Sequence, residues 1–175
     1  DNRRPSESEI LASRAIDRSL RPLLRKDVMW NKSSGPSSIH ISCSIQAYDG
    51  GHPVSLALIS AAIAMQDKLS EPVAAVALVL MEDGTVLVNP SKSTIPDNQQ
   101  QLDQDGRKNG IAGNLLYAGT KDSIVMMEFS GLLSESALLD LIALANESIQ
   151  PILDKQEKMQ NSKIDANPKD EQDDE

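Results

Sequence analysis

The sequence predicts an α+β fold in which helices pack on a mixed β-sheet. Three observations support it: an amphipathic helix opens the chain, short apolar runs separated by turn residues follow, and two more helical stretches lie among them. With 175 residues, of which 39% are apolar, the chain is long enough for one domain with a sizeable core. Aromatic side chains make up only 2% of the sequence, so that core must be aliphatic.

Charge and cysteine usage exclude several classes of protein. The formal net charge of -9 disfavours general affinity for nucleic acids or membrane surfaces, so any such contact must be local. The single cysteine, Cys43, excludes an internal disulfide, and no Cys/His spacing resembles a zinc site. The apolar runs are too short to span a bilayer. The chain opens on Asp1 rather than Met, and we expect it to be a fragment or a processed product.

The first helix is predicted within residues 3–26. Ser6 and Glu9 have the S-x-x-E spacing of a capping box, in which each residue's side chain satisfies a backbone N–H of the other. Pro22 lacks an N–H, so it should kink or end the helix near Leu20.

A basic edge runs along this helix. Arg14, Arg18, Arg21 and Arg25 are spaced by four, three and four residues, which places them on one stripe at about 100° per residue. One interpretation is a solvated face whose internal partner is Asp17. The other is an anion site, with phosphate the commonest anion, because seven of the 17 basic residues lie within the first 26 positions of an acidic chain.

The middle of the chain reads as a strand, a buried helix and a hairpin. Residues 39–48 alternate apolar and polar side chains, which predicts a half-buried strand with His40 on its exposed face. Pro53 opens a helix that we expect to run to about residue 69 and to be buried nearly all the way round, with His52 as a cap or turn residue. Strands over 73–81 and 85–88 should flank an Asp-Gly hairpin turn.

The remainder reads as an insertion, a second strand pair, a helix and a tail. A polar, Gln-rich insertion is predicted at about 91–113, followed by strands at 115–118 and 123–129. A helix over 135–150 should be interrupted by Pro151 and continue for a turn or two to about 159. We therefore expect one domain over 1–159 and a disordered acidic tail over 160–175, whose alternative role is to mimic RNA or to bind a partner.

Several motifs together resemble one family. The run RPSESEILASRAIDRSLRPLL is similar to the RPSE…R-x-I-D-R-x-[IL]-R-P-L segment of polynucleotide phosphorylase, and SIQAYDG with HPVSLALISAAIAM to its strand, Y-D-G turn and helix. VAAVALVLMEDGTVLVNP resembles the family's D-G hairpin, and NLLYAGTKDSIVMMEFSGLLSESALLDLI its A-G-T…L-S-E segment. The shorter turn before Pro53 and the Gln-rich insertion depart from the family pattern.

The resemblance covers about residues 4–152 and implies the first of two RNase PH-like core domains, with the N-terminal strands missing. The family degrades RNA from the 3′ end by phosphorolysis, which implies inorganic phosphate as co-substrate and Mg²⁺ in the parent enzyme. Its phosphate-binding Gly-Ser-Ser segment and metal-binding carboxylates lie in the second core domain, so the resemblance assigns no catalytic residue, metal or cofactor to this chain. Ser33, Ser34, Ser37 and Ser38 are interpreted as loop residues rather than as that phosphate segment.

The same resemblance implies that the first core domain contacts RNA. Arg4 matches the arginine of the family's G-R-P-S-E, while Arg3 stands at its glycine. Residues 14–21 match R-x-I-D-R-x-x-R. The expected RNA-binding residues are Arg3, Arg4, Arg14 and Arg18; Asp17 and Arg21 are expected to form a structural ion network.

The implied partners are single-stranded RNA and, in the parent enzyme, two further copies in a homotrimer, with no membrane. We expect an intracellular protein, with mitochondrion or chloroplast favoured over a bacterial-type cytoplasm. An alternative from another class is a non-catalytic RNase PH-like subunit of an exosome-type ring. A third is an α+β binding module without any link to RNA.

Overall fold

Two helical layers enclose a four-stranded sheet in a computed structural model that describes residues 4–31, 35–36, 38–46, 52–91, 94 and 110–165. The helices are α1 (Glu7–Leu20), α2 (Lys26–Met29), α3 (Pro53–Ala64) and α4 (Glu135–Asp165), with a 3-10 turn at Arg21–Leu23. The strands are β1 (Trp30–Asn31), β2 (Gly35–Pro36), β3 (Ala74–Met81), β4 (Val86–Val88), β5 (Ile111–Gly119) and β6 (Ile124–Gly131). The predicted α+β class is confirmed.

The main sheet has the strand order β4-β3-β5-β6. Every pairing in it is antiparallel, where the sequence had led us to expect a mixed sheet. The hairpin between β3 and β4 turns at the predicted Asp-Gly pair: Gly84 has a φ of 86°, and Thr85 N–H donates to Asp83 Oδ1 at 2.8 Å. The predicted second strand pair also forms, although β5 begins at Ile111, four residues before the predicted start.

Alternate residues of β3 supply both halves of the core, since successive side chains of a strand point to opposite faces. Val73, just before the strand, and Ala75 belong to the cluster formed with α1 and α3 on one face of the sheet. Ala74, Val76 and Leu78 belong to the cluster formed with α4 on the other. As expected, the core is aliphatic, with one tyrosine among the buried residues in the described part of the chain.

Helix α1 begins and ends as its sequence predicts. Ser6 N–H donates to Glu9 Oε2 at 2.6 Å, and Glu9 N–H donates to Ser6 Oγ at 3.3 Å, which completes the capping box. The α-helix stops at Leu20, two residues before Pro22, and a 3-10 turn follows. Arg25 therefore lies beyond the helix and leaves the predicted four-arginine stripe.

The strand predicted over 39–48 is wrong for the residues that the structure describes. Residues 38–46 have no strand hydrogen-bonding pattern, and Ile39, Ile41 and Ile45 are 38%, 41% and 49% exposed. The segment instead lies beside α1 and α3, with Cys43 Sγ 3.8 Å from the carbonyl oxygen of Ala57. A strand exists only where a neighbouring strand accepts its hydrogen bonds, and no described strand pairs with this segment.

Helix α3 is shorter and less buried than predicted. It ends at Ala64 rather than near residue 69. Leu58, Ala61 and Ala62 are buried against the sheet and α1, whereas Leu56 is 48% exposed. Burial nearly all the way round was therefore a wrong prediction, because the described chain covers only one side of this helix.

Helix α4 continues without interruption through Pro151 to Asp165. The predicted break at Pro151 is therefore wrong, and the helix also runs six residues past residue 159, the predicted end of the domain. A proline inside a helix removes one hydrogen bond and costs about 3 kcal/mol. Ile149 and Leu153, on either side of it, are 0% and 3% exposed, so burial against the sheet offsets that cost.

The insertion and the tail fall largely outside the described residues. Strand β5 begins at Ile111, so the predicted insertion overlaps the strand at its end. The rest of that insertion, except residues 91, 94 and 110, lies outside the described residues, as does the tail over 166–175. The predicted domain boundaries remain predictions.

Candidate nucleic-acid interface

The exposed edge of α1 carries two arginines without a carboxylate partner among the described residues. Arg14 and Arg18 are both exposed, one helical turn apart on the same face. None of the ion pairs found in the described part of the chain includes either side chain. Their guanidinium groups can therefore donate to an external anion without first breaking a salt bridge.

The next basic residues are held by aspartates. Arg21 Nη2 donates to both carboxylate oxygens of Asp17 at 2.8 Å, and the two side chains are 64% and 56% exposed. Arg25 is paired in the same way with Asp27 at 2.9 Å, and this hydrogen bond holds the pKa of Asp27 below its usual value. Such exposed pairs add little to stability, because water screens the charges and ordering both side chains costs entropy. They divide the basic edge into a free part and a paired part.

Of the two arginines expected before the helix, the structure describes one. Arg4 is exposed and precedes the N-cap residue Ser6. Arg3 lies outside the described residues. Arg14 lies seven residues beyond Glu7, the first residue of α1, which is a rise of about 10.5 Å, whereas Arg4 lies in the extended chain before Glu7. The structure thus brings Arg14 and Arg18 together at one place and leaves Arg4 at the other end of α1.

A groove of about 1000 Å³ opens between α1, α3 and the segment 38–46. Its walls include the Asp17–Arg21 pair, whereas Arg14 and Arg18 are not among its lining residues. Much of its lining is apolar and comes from Ile39, Ile41, Ile45, Ile16, Leu20 and Leu24. The groove is therefore separate from the free basic edge, and its chemistry does not suit a phosphate group.

His52 has an unsatisfied ring nitrogen at the start of α3. It occupies the N-cap position without a side-chain capping bond, and its Nδ1 is buried with no hydrogen-bond partner among the described residues. Burial lowers the pKa of His52, and the nearby carboxylate of Glu128 opposes that shift. The sequence indicated only a cap or turn residue here, because nothing local reveals that the carboxylate of Glu128 lies nearby.

The described residues do not fit a site for the Mg²⁺ that the family resemblance implies. No three or more His, Cys, Asp or Glu side chains in the described part of the chain lie close enough to hold a metal ion. The carboxylate of Asp17 is engaged by Arg21. Of Ser33, Ser34, Ser37 and Ser38, the serines weighed as a phosphate loop, only Ser38 is described, and it lies exposed in the coil at the groove.

Fold and comparisons together define the class of protein. Residues 1–69 match the family model described as "3' exoribonuclease family, domain 1". The structure is similar to rice (Oryza sativa) Rrp46, with a TM-score of 0.55 and 14% identity over 81% of this chain and 61% of that one. The chain has an RNase PH-like α+β fold.

Sequence relatives narrow the class further. The chain is 31% identical over 154 residues to a polyribonucleotide nucleotidyltransferase of Rickettsia rickettsii (strain Sheila Smith). This match covers 86% of the present chain. It is 30% identical over 152 residues to that of Rickettsia akari (strain Hartford). The resemblance to polynucleotide phosphorylase is thereby confirmed. The chain spans only 18% of the length of these relatives.

Among the described residues, no helix is both long and apolar enough to cross a bilayer. No pattern in the sequence predicted the groove between α1, α3 and residues 38–46. It could not be foreseen, because it exists only where residues 38–46 lie beside the helices instead of pairing as a strand.

Proposed function

We propose that this chain is part of the first core domain of a phosphate-dependent 3′-to-5′ exoribonuclease of the polynucleotide phosphorylase type. Its role is to bind single-stranded RNA and to pack against neighbouring subunits. The observation that carries the RNA contact is the exposed pair Arg14 and Arg18, which no described carboxylate neutralises. Arg3 and Arg4 extend the contact beyond the start of α1.

Phosphate contacts dominate affinity for nucleic acids, and arginine is suited to them because its planar guanidinium donates two parallel hydrogen bonds. Because the chain as a whole is acidic, a local group of basic side chains is evidence for a specific anion-binding site. Asp17 holds the guanidinium of Arg21 in an ion pair on this edge. Arg14 and Arg18 therefore remain as the arginines that bind RNA.

Catalysis belongs to another part of the parent enzyme in this proposal. The parent uses inorganic phosphate as co-substrate and Mg²⁺, and the described residues of this chain supply no cluster for the metal. The parent is a homotrimer of polyribonucleotide nucleotidyltransferase chains, and this chain alone is inactive. An organelle location finds no support among the named relatives, which are bacterial, so a bacterial-type cytoplasm is the better proposal.

The test of RNA binding is the double charge reversal Arg14→Glu/Arg18→Glu, assayed with poly(A) over a range of salt concentrations. We expect affinity at low salt to fall by tenfold or more, in round terms, and the salt slope to flatten by about 1.4, since each lost contact to a single strand removes about 0.7. The matched control is Lys155→Glu/Lys158→Glu on the exposed side of α4, which makes the same change in net charge. Equal losses in both variants would contradict a local site.

A second experiment tests whether catalysis lies outside this chain, and ultracentrifugation then separates the phosphorolytic enzyme from the exosome-type subunit. Phosphate-dependent release of nucleoside diphosphate from poly(A) is measured for this chain alone. No release together with RNA binding is the expected result for a binding part of a phosphorolytic enzyme. Release by the chain alone would overturn the placement of catalysis elsewhere. A non-catalytic subunit of an exosome-type ring would instead assemble with unlike RNase PH-like chains, which analytical ultracentrifugation of mixed chains detects.

A further inference from the structure

We propose that the acidic residues 166–175 of this chain dock on the basic edge of α1 and compete there with RNA. Residues 14–27, which carry this edge and the turn that follows it, contain five basic and two acidic side chains. The segment 166–175 contains five acidic residues and one lysine. The proposal deepens the proposed function by naming a regulator of the same site; its effect on RNA rests on that function, whereas the docking itself does not.

The end of α4 lies close to the basic edge. Gln160 Nε2 donates to the carbonyl oxygen of Gln66 at 2.9 Å, and the backbone N–H of Arg25 donates to the carbonyl oxygen of Lys68 at 2.9 Å. Gln66 and Lys68 are two residues apart, which is at most about 7 Å of chain. One short connector therefore contacts both α4 and the basic edge.

The acidic segment is long enough to cover that edge. Helix α4 continues five residues beyond Gln160 to Asp165, a rise of about 7.5 Å. The ten residues 166–175 can extend over about 33–36 Å. Helix α1 has 14 residues and is about 21 Å long. The extended segment is therefore longer than α1, and it is attached on the side of the chain that follows Leu20, the end of α1 to which Arg18 is nearest.

Charge complementarity favours this occupant. Among the described residues, Arg14 and Arg18 have no carboxylate partner. Leaving these exposed guanidinium groups unpaired in water costs little free energy. Single exposed ion pairs are weak, but a tethered segment acts at an effective concentration of about 1 mM. Several weak pairs at that concentration are enough to occupy the edge for part of the time, and salt should release them. The result is a modest, salt-sensitive competitor of RNA.

The docking is tested by a spin label on the segment, in the full chain. Gln172→Cys carries the label, and Cys43→Ser removes the exposed native thiol. We expect paramagnetic broadening of the backbone amides of residues 14–21, and its loss at about 1 M NaCl, where the Debye length is about 3 Å. Broadening should also disappear in Arg14→Glu/Arg18→Glu and persist in Lys155→Glu/Lys158→Glu. Broadening limited to the last turn of α4 would overturn the proposal.

The regulatory effect is tested by neutralising the segment. The variant Asp170→Asn/Glu171→Gln/Asp173→Asn/Asp174→Asn should bind poly(A) several-fold more tightly at low salt, and the gain should vanish in the Arg14→Glu/Arg18→Glu background. An equal gain in that background would mean general repulsion of RNA and would overturn the competition. If no variant binds poly(A), the proposed function fails, while the spin-label result still decides whether the segment docks.

Discussion

The side-chain amide of Gln156 donates a hydrogen bond of 3.0 Å to the backbone carbonyl oxygen of Val73, 83 residues away in the sequence. Gln156 is 5% exposed and Val73 is fully buried, so water cannot replace this bond. It fixes the second half of α4 at the start of β3, beyond the point where Pro151 lacks an N–H. The end of α4 depends on a contact that only the folded chain brings together.

Replacing Gln156 by methionine should destabilise the fold by about 1–3 kcal/mol, because methionine fills the volume but leaves a buried carbonyl oxygen unpaired. Urea denaturation measures the change. The control is Gln160→Met, whose hydrogen bond to the carbonyl oxygen of Gln66 is only part-buried and can be replaced by water, so its cost should be smaller. Equal losses of unfolding free energy in the two variants would show that burial of the Gln156 hydrogen bond does not increase its contribution to stability.

Two glycines with positive φ should respond differently to alanine. Gly131 has a φ of 125°, and a Cβ there would collide with the backbone carbonyl oxygen of Ala112 in the neighbouring strand. Gly84 has a φ of 86° and open space around it. We expect Gly84→Ala to cost about 1–2 kcal/mol for the backbone conformation alone, and Gly131→Ala to cost above about 3 kcal/mol. Thermal unfolding compares them; a similar loss in both would contradict the steric argument.

Stability should depend on pH through His52. Burial lowers the pKa of His52 below its usual 6.5, so the unfolded chain binds the proton more readily than the folded one. This contribution to stability is complete above pH 6.5 and is lost as the pH falls through the lowered pKa. The unfolding free energy should therefore decrease on acidification, and His52→Asn should reduce that decrease. His40→Asn is the matched control, because His40 is exposed and is the other of the chain's two histidines.

Neutralising the acidic member of the basic edge should strengthen RNA binding. Asp17→Asn removes the negative charge between Arg14 and Arg18 and releases Arg21 from its ion pair. We expect poly(A) affinity to rise roughly twofold to fivefold at low salt, and stability to change by less than about 1 kcal/mol, since the pair is exposed. Filter binding and urea denaturation measure the two effects. The control is Asp154→Asn on exposed α4, which should leave the affinity nearly unchanged.

Local signals in the sequence were read correctly where they act through neighbouring residues. The capping box of Ser6 and Glu9, the end of α1 before Pro22 and the hairpin turn at Gly84 each depend on contacts within a few positions. The basic face of α1 follows from helical spacing alone. The family resemblance rested on such motifs in their order along the chain, and the comparisons confirm it.

What the sequence by itself determined is therefore the class of the fold, most of its elements and the candidate arginines. Only the tertiary structure decided that residues 38–46 form no strand and that α4 passes through Pro151. It also decided that Asp17 holds Arg21, while no carboxylate in the described part of the chain pairs with Arg14 or Arg18. The physical reason is the same in each case. A strand needs a partner, a helical proline needs burial to offset its lost bond, and a charge is free or paired according to what lies beside it in space.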